Sequence, residues 1–371
     1  MTANPETLYA HRGAWLTPDG LIQLPYDLEH GCMANATPAP ANAAPSATTA
    51  ARMPGPARPL SEHAHVFNAA NARFSLLLDR LKTVHIVNAM GVVLGDSIVG
   101  LTVLHALKRA CPHLELVLYR PATTPDYVEQ LYRLAAGLIG EIRYLPWPAE
   151  RIPAGEPIVD IGNLVYWPRF ATLPTLDFFC EAMGIDPSRI PAADRANRWL
   201  SALDLPALPA AWRSRPYVLF SPEASTPIRR IPPSIRHAWI DRLWNAYRLP
   251  VLGFADCRHP HFVDIRALAP DTPSFLAWIR HAKAMVSADS AAVHAAAGFD
   301  VPTTAIFTTI DPYLRVRDYP RCRHVKLRIE ALHGIHSSSL EAHLALVEYV
   351  WRYTDMHTIP LPEADIGSLA G

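Results

Sequence analysis

No stretch of this chain approaches the ~18 to 20 consecutive apolar residues that cross a bilayer. Its opening residues, MTANPETLYAHRG, carry no apolar segment of the secretory kind. The default expectation is a cytoplasmic protein without a transmembrane segment. Net charge is missing too, because 34 basic and 34 acidic residues cancel. A general nucleic-acid binder is disfavoured on that count, while a local basic cleft for a phosphorylated ligand stays open. Cysteine is scarce: Cys32, Cys111, Cys180, Cys257 and Cys322 are scattered, odd in number and without a Cys-x-x-Cys pair. They read as free thiols in a reducing compartment. Cys257-Arg258-His259 is echoed by Cys322-Arg323-His324, with His261 close by. Two such loops would bind zinc only if they met, and the spacing of a closed zinc site is absent, so no metal is expected. No motif recurs at a period of about 20 to 50 residues, which disfavours a solenoid.

What is present points to a folded α/β chain. With 371 residues, 50% of them hydrophobic and 18% charged, it is long enough for two domains with sizeable cores. Residues 1–32 read as an N-terminal extension in which Thr17-Pro18-Asp19-Gly20 is a turn signal between aromatic and apolar stretches, so a β-hairpin is expected. Residues 33–62 are rich in Ala, Pro, Ser and Thr and hold too few large apolar side chains to offset the entropy of ordering, so they read as a flexible linker. Such a linker lets the hairpin dock on its own molecule or exchange between subunits of a homo-oligomer.

From Phe67 the stretch FNAANARFSLLLDRLK predicts a helix, and Val84 to Val87 a strand. A loop holding Gly91, Gly95 and Asp96 then leads into a helix with apolar positions at Ile98, Leu101, Leu104 and Leu107. Spacing alone leaves Asp96 either a functional carboxylate at a strand-to-helix hinge or merely the N-cap of that helix. Strands are expected in EIRYLPW and EPIVDIG, and the proline-rich residues 203–216 read as an ordered connection. A second alternating set starts at Tyr217 and closes with a helix over residues 339–353. The expected division is a Rossmann-like domain over 63–205, a second one over 206–338, and a closing helix and tail over 339–371, with a cleft between the two domains.

The second set centres on residues 284–312. A short apolar run ends at Asp289-Ser290, an N-cap pair, and Ala291 to Ala297 favour a helix. Gly298 is placed to end it as a left-handed C-cap, and Val301 to Phe307 is the next buried strand. Free N–H groups and the helix dipole at such a hinge attract a phosphate, although every parallel α/β protein has several hinges of this type. His294, taken alone, is more often a satisfied interior histidine than a ligand.

Three motifs carry a resemblance to a known family. Asp289-Ser290-Ala291-Ala292-Val293-His294, with Gly298-Phe299-Asp300-Val301-Pro302 and the loop from Phe307 to Asp311-Pro312, resembles the donor-site signature of the heptosyltransferase-like glycosyltransferases of family 9, which have the GT-B fold. Gly95-Asp96, preceded by Met90-Gly91, is similar to that family's Gly-Asp motif. Ser221 to Ser225 with Arg229-Arg230 resembles its Pro-Gly-Ala-Ser and downstream basic residue. The likeness covers residues from about 84 to about 350.

The resemblance implies an inverting glycosyltransferase that works without a metal or other cofactor, using a nucleoside-diphosphate sugar (an ADP-sugar, with heptose as one candidate) as co-substrate. The acceptor would be a hydroxyl of a glycan, a lipid-linked glycan such as lipopolysaccharide, or a protein. Asp96 matches the catalytic base, with Gly95 and Asn88 on the acceptor side. Ser225, Thr226, Arg229 and Arg230 match the phosphate clamp, Asp289 the acceptor of sugar hydroxyls, Ser290 and Ala291 the pyrophosphate contact, and His294 a packing residue beside it. The chain departs from the pattern at Ala291, where Gly is usual, at Glu223, where a small residue is expected, at Arg229-Arg230-Ile231-Pro232, which stands for Lys-Arg-Trp-Pro, and at Asp256, near a position often Glu. The N-terminal extension is foreign to the lipopolysaccharide enzymes. A related branch acting on bacterial surface proteins has N-terminal additions, but its cysteine-bound metal finger has no counterpart here. The alternative is a catalytically inactive relative that binds a nucleotide sugar or serves as an assembly subunit. A nucleotide-sugar epimerase or dehydrogenase is disfavoured, since no Gly-x-Gly-x-x-Gly follows the first strand.

Overall fold

The computed structural model describes residues 12–24 and 57–364, so the rest of the expected extension and linker lies outside the described residues. These fall into two compact units that divide between Pro191 and Ala192, upstream of the expected boundary at 205/206.

Unit one begins with β1 (Trp15–Leu16) and β2 (Leu21–Gln23), which pair antiparallel around the Thr17–Gly20 turn. Thr17 fixes that turn, because its Oγ1 accepts the Leu21 N–H at 2.9 Å, and Gly20 takes φ +79°. β3 (Arg58–Pro59) joins β1 within the stretch expected to be a flexible linker, and Leu60 beside it is fully buried. Residues 57–62 are therefore ordered, and the apolar side chain of Leu60 supplies the reason.

The helix expected from Phe67 does not form. β4 (Val66–Phe67) runs into turns, with a single 3-10 turn at Leu78–Arg80. Asn68 Oδ1 accepts the Ala70 N–H at 2.9 Å and its amide donates to Arg12 O at 2.6 Å, an Asx turn that competes with helix formation.

The remaining elements are β5 (Thr83–Val87), α1 (Leu94–Ala110), β6 (Glu115–Pro121), α2 (Asp126–Ile139), β7 (Glu141–Leu145), β8 (Trp147–Pro148), β9 (Ile158–Asp160) and α3 (Thr175–Ala182). A parallel sheet has the order β4-β9-β5-β6-β7, and a small antiparallel one the order β3-β1-β2-β8. Leu16 and Ile22 of the small sheet and Leu60 just after it share one core with Val87, Val117 and Tyr119 of the parallel sheet. The hairpin thus covers a face that a helix would otherwise cover, and each such buried side chain contributes roughly 1.5 to 3 kcal/mol.

Unit two is a doubly wound sheet built from β10 (Val218–Ser221), β11 (Val251–Gly253), β12 (Phe262–Asp264), β13 (Met285–Ala288), β14 (Thr303–Phe307) and β15 (Cys322–Lys326). Its helices are α4 (Pro233–Tyr247), α5 (Thr272–Arg280), α6 (Ala291–Gly298), the single turn α7 (Tyr313–Val316) and α8 (Glu341–Tyr353). All strands are parallel in the order β12-β11-β10-β13-β14-β15, so the strand order reverses between β10 and β13. The central strands are buried along their whole length because both faces are covered. Phe220, Trp239, Val286 and Ile306 form the core, which α8 closes with Val347 and Trp351.

One expectation is corrected in this unit. Gly298 does not cap α6 in the left-handed region, where Asp300 stands instead at φ 62°. A Cβ on Gly298 would stand 2.6 Å from Leu200 Cδ1 and 2.7 Å from Asn197 O, so the glycine permits a close approach. Of the two Cys-Arg-His tripeptides, β15 carries one at a sheet edge, and the other follows β11 near the opposite edge. Among the described residues no cluster of three or more His, Cys, Asp or Glu could hold a metal ion, and no helix is long and apolar enough to cross a membrane.

Candidate functional site

In a parallel sheet of this order, ligands bind beyond the carboxyl ends of the strands that flank the reversal. In unit two those strands are β10 and β13. The segment after β10 carries Ser225, Thr226, Arg229 and Arg230, and the one after β13 carries Asp289 and Ser290. Arg229 joins them: its Nη1 donates to Asp289 Oδ2 at 3.2 Å and its Nη2 to Ser225 Oγ at 2.6 Å. Asp289 is only 3% exposed. A carboxylate held so deep requires a cationic or hydrogen-bonding partner, and Arg229 is one.

Arg230, matched with Arg229 in the sequence, is committed elsewhere. Its Nε donates to Ala224 O at 3.1 Å and lies 3.2 Å from Glu223 Oε2, while Arg236 reaches the other oxygen of Glu223 at 2.7 Å. Two guanidiniums thus neutralise the acid that departs from the family pattern. Thr226 is buried, and its Oγ1 accepts from Ser337 Oγ at 3.1 Å and from the Ser338 N–H at 3.2 Å. Its hydroxyl holds the loop before α8. Ser290 is the N-cap residue of α6, with its Oγ 3.3 Å from Ser287 Oγ, and Ala291 opens the helix, half-buried.

His294 lies one turn into α6 and is buried. The Asn197 amide donates to the Tyr319 hydroxyl at 2.8 Å, and that hydroxyl lies 2.6 Å from His294 Nδ1. The imidazole and the phenol hydroxyl are thus hydrogen-bonded to each other, in the direction that the histidine tautomer sets. Burial pushes its pKa down to about 4; nearby Asp289 opposes the shift, while Arg315 and Arg229 reinforce it. His294 therefore packs α6 in place. Burial also pushes His336 down to about 4, with Arg315 and Arg229 lowering it further. Neither His336 nor the buried Arg315 of α7 stood out in the sequence; Arg315, Arg229 and Asp289 all act electrostatically on His336 and His294. The available signal was an arginine in the turn that follows Asp311-Pro312.

In unit one the segment from Asn88 to Val93 links β5 to α1. Val93, not Asp96, is the N-cap residue of α1; Gly95 and Asp96 are its second and third residues, and Asp96 is half-buried. Asn88 and Met90 take left-handed φ values of 58° and 53°, which cost a non-glycine residue roughly 1 kcal/mol or more unless the surroundings hold them. They are held. Arg120 of β6, fully buried, donates to Ala89 O and to Gly91 O at 2.5 Å each, and Tyr132 OH donates to Ala89 O at 2.8 Å. Arg120 in turn is paired with Glu129 at 2.7 Å and lies 3.6 Å over the Tyr132 ring. Asn88 is itself buried, its amide donating to Ile161 O at 3.2 Å. Sequence reasoning missed Arg120, because an arginine near a strand end reads as solvated.

No protein-family model and no curated protein matches the chain. Among solved structures it is similar to the ADP-heptose lipopolysaccharide heptosyltransferase II of E. coli, at 14% identity over 73% of this chain and 99% of that one, with a TM-score of 0.47. It is likewise similar to the E. coli heptosyltransferase WaaC with ADP, at 15% identity over 72% and 99% with a TM-score of 0.43. A family 9 glycosyltransferase from Veillonella parvula gives 14% identity over 76% and 99% with a TM-score of 0.41. Likenesses of this size add no weight to the strand order and side-chain geometry of the chain itself.

Proposed function

We propose that the chain is a GT-B glycosyltransferase that moves a sugar from a nucleoside-diphosphate sugar to a hydroxyl of a glycan, lipopolysaccharide or protein. The observation that carries the reading is Arg229, which bridges Ser225 and Asp289 at the carboxyl ends of β10 and β13. A departing diphosphate needs fixed positive charge, and a guanidinium forms two parallel bonds to phosphate oxygens. Phosphate oxygens compete with Asp289 for Arg229 and take the amino end of α6 at Ser290 and Ala291. Asp289, released, accepts hydroxyls of the donor sugar. The acceptor oxygen attacks the anomeric carbon opposite the leaving group, its proton passes to Asp96, and the bond to the diphosphate breaks with the electron pair on the phosphate oxygen. Inversion follows, and Arg229 takes the part that a divalent metal plays in other transferases. ADP-sugars, heptose among them, come first as donors on the resemblance of the motifs.

The test combines binding with turnover. A nucleotide sugar at ~100 times its dissociation constant stabilises the protein by roughly 2.7 kcal/mol, visible as a melting shift. Arg229→Gln should lose that shift. Asp96→Asn should keep the shift and lose sugar transfer to an acceptor. Transfer by Asp96→Asn at the wild-type rate would overturn the assignment of the base, and a wild-type chain that binds the donor but never transfers it would favour the inactive relative.

A further inference from the structure

Unit two has a second polar concavity at the other end of the same two strands. The residues just before β10 are Trp212-Arg213-Ser214-Arg215-Pro216-Tyr217, and just before β13 come His281, Ala282 and Lys283. β10 and β13 are neighbours, so the two segments lie side by side and enclose a groove of about 400 Å³ lined by Trp212, Arg213, Arg215, Tyr217, His281 and Lys283. That volume falls in the ~300 to 1,000 Å³ range of small-ligand sites. The strands are four residues long, which places the groove about 13 Å from the Arg229–Asp289 pair.

Three features distinguish this groove from ordinary surface. Its lining contains no carboxylate. Among the described residues, Arg213, Arg215, His281 and Lys283 form no ion pair with any Asp or Glu, although acids and bases are equal in number over the chain. Two of the cations are also fixed in place: Arg213 Nε donates to Leu208 O at 2.9 Å, and the Arg215 guanidinium lies 4.8 Å over the Trp212 ring. Like charges converging without a counter-ion repel, and preorganised guanidiniums lower the cost of ordering on binding.

We propose that this groove binds a phosphate group, with Arg213, Arg215 and Lys283 as its ligands. The phosphate comes either from a free phosphorylated small molecule or from an anionic lipid headgroup. This site stands apart from the proposed donor site and does not depend on it.

The test uses the full chain in an Arg229→Gln background, which removes phosphate binding at the other end of the sheet. Inorganic pyrophosphate is titrated by calorimetry into that variant and into one that also carries Arg213→Gln, Arg215→Gln and Lys283→Gln. All three side chains are exposed, so melting curves should confirm an intact fold. Pyrophosphate should bind the first protein and bind the second about tenfold or more weakly. In parallel, both are sedimented with phosphatidylcholine vesicles with and without phosphatidylglycerol. Binding to phosphatidylglycerol vesicles that the three substitutions abolish identifies a headgroup; pyrophosphate binding without vesicle binding identifies a free phosphate. Equal affinity of the two proteins for both probes, or no binding of either probe, overturns the proposal.

Discussion

Acidification should destabilise unit two through His294. His294 is 6% exposed, is hydrogen-bonded to Tyr319 and has a pKa pushed down to about 4. In the unfolded chain the same group titrates near ~6.5. Above that pH both states are neutral and the histidine contributes no pH dependence. As pH falls through ~6.5 the unfolded chain takes up a proton that the folded one refuses, so stability is lost down to about pH 4. At pH 5 the two values differ in bound protons enough to cost roughly 2 kcal/mol. His294→Gln keeps a hydrogen-bonding group for Tyr319 and removes the titration. Denaturant unfolding of both proteins at pH 7 and pH 5 should show the wild type losing about 2 kcal/mol more than the variant. His336 and the carboxylates are common to both proteins and cancel. An equal loss in the two proteins would refute the argument.

Two further substitutions test other charged pairs. Arg120→Met leaves Glu129 buried beside Tyr132 without its cation, which should cost about 3 to 5 kcal/mol and speed hydrogen exchange at residues 88–93. Unchanged exchange there would show that Arg120 does not hold the loop. Asp289→Asn frees Arg229 from its carboxylate, so inorganic pyrophosphate should bind roughly fivefold tighter while a nucleotide sugar binds more weakly. Calorimetry that finds both affinities lowered together would show that Asp289 does not compete for Arg229.

Apolar runs bounded by turn residues made most of the architecture legible. The strands Val218–Ser221, Met285–Ala288 and Thr303–Phe307 are fully buried and mostly apolar, and each expected crossover helix of unit two is present. Local pattern failed where a side chain outcompeted the backbone. FNAANARF has helical composition, yet Asn68 bonds to Ala70 and to Arg12, and a contact between residues so far apart in sequence leaves no trace in a short window. Leu60 was hidden similarly, as a lone large apolar residue at the end of an alanine- and proline-rich stretch whose burial depends on β1.

The candidate site was legible in its positions and less so in its pairings. Arg229 and Arg230 are equivalent in sequence, and a basic pair near a phosphate invites both to the same ligand. In space they part: Arg229 turns to Asp289 and Ser225, whereas Arg230 joins Arg236 on Glu223. Under the proposed function the division would make Glu223 tolerable beside a phosphate, since two guanidiniums lie against its carboxylate while Arg229 is left to Asp289. Sequence could show neither half, because Arg236 lies on α4 and Asp289 follows β13, and only the reversal of strand order between β10 and β13 brings the latter to Arg229. Position along the chain reveals which residues carry charge, but the net charge that a ligand meets is set by which of them the fold has already paired.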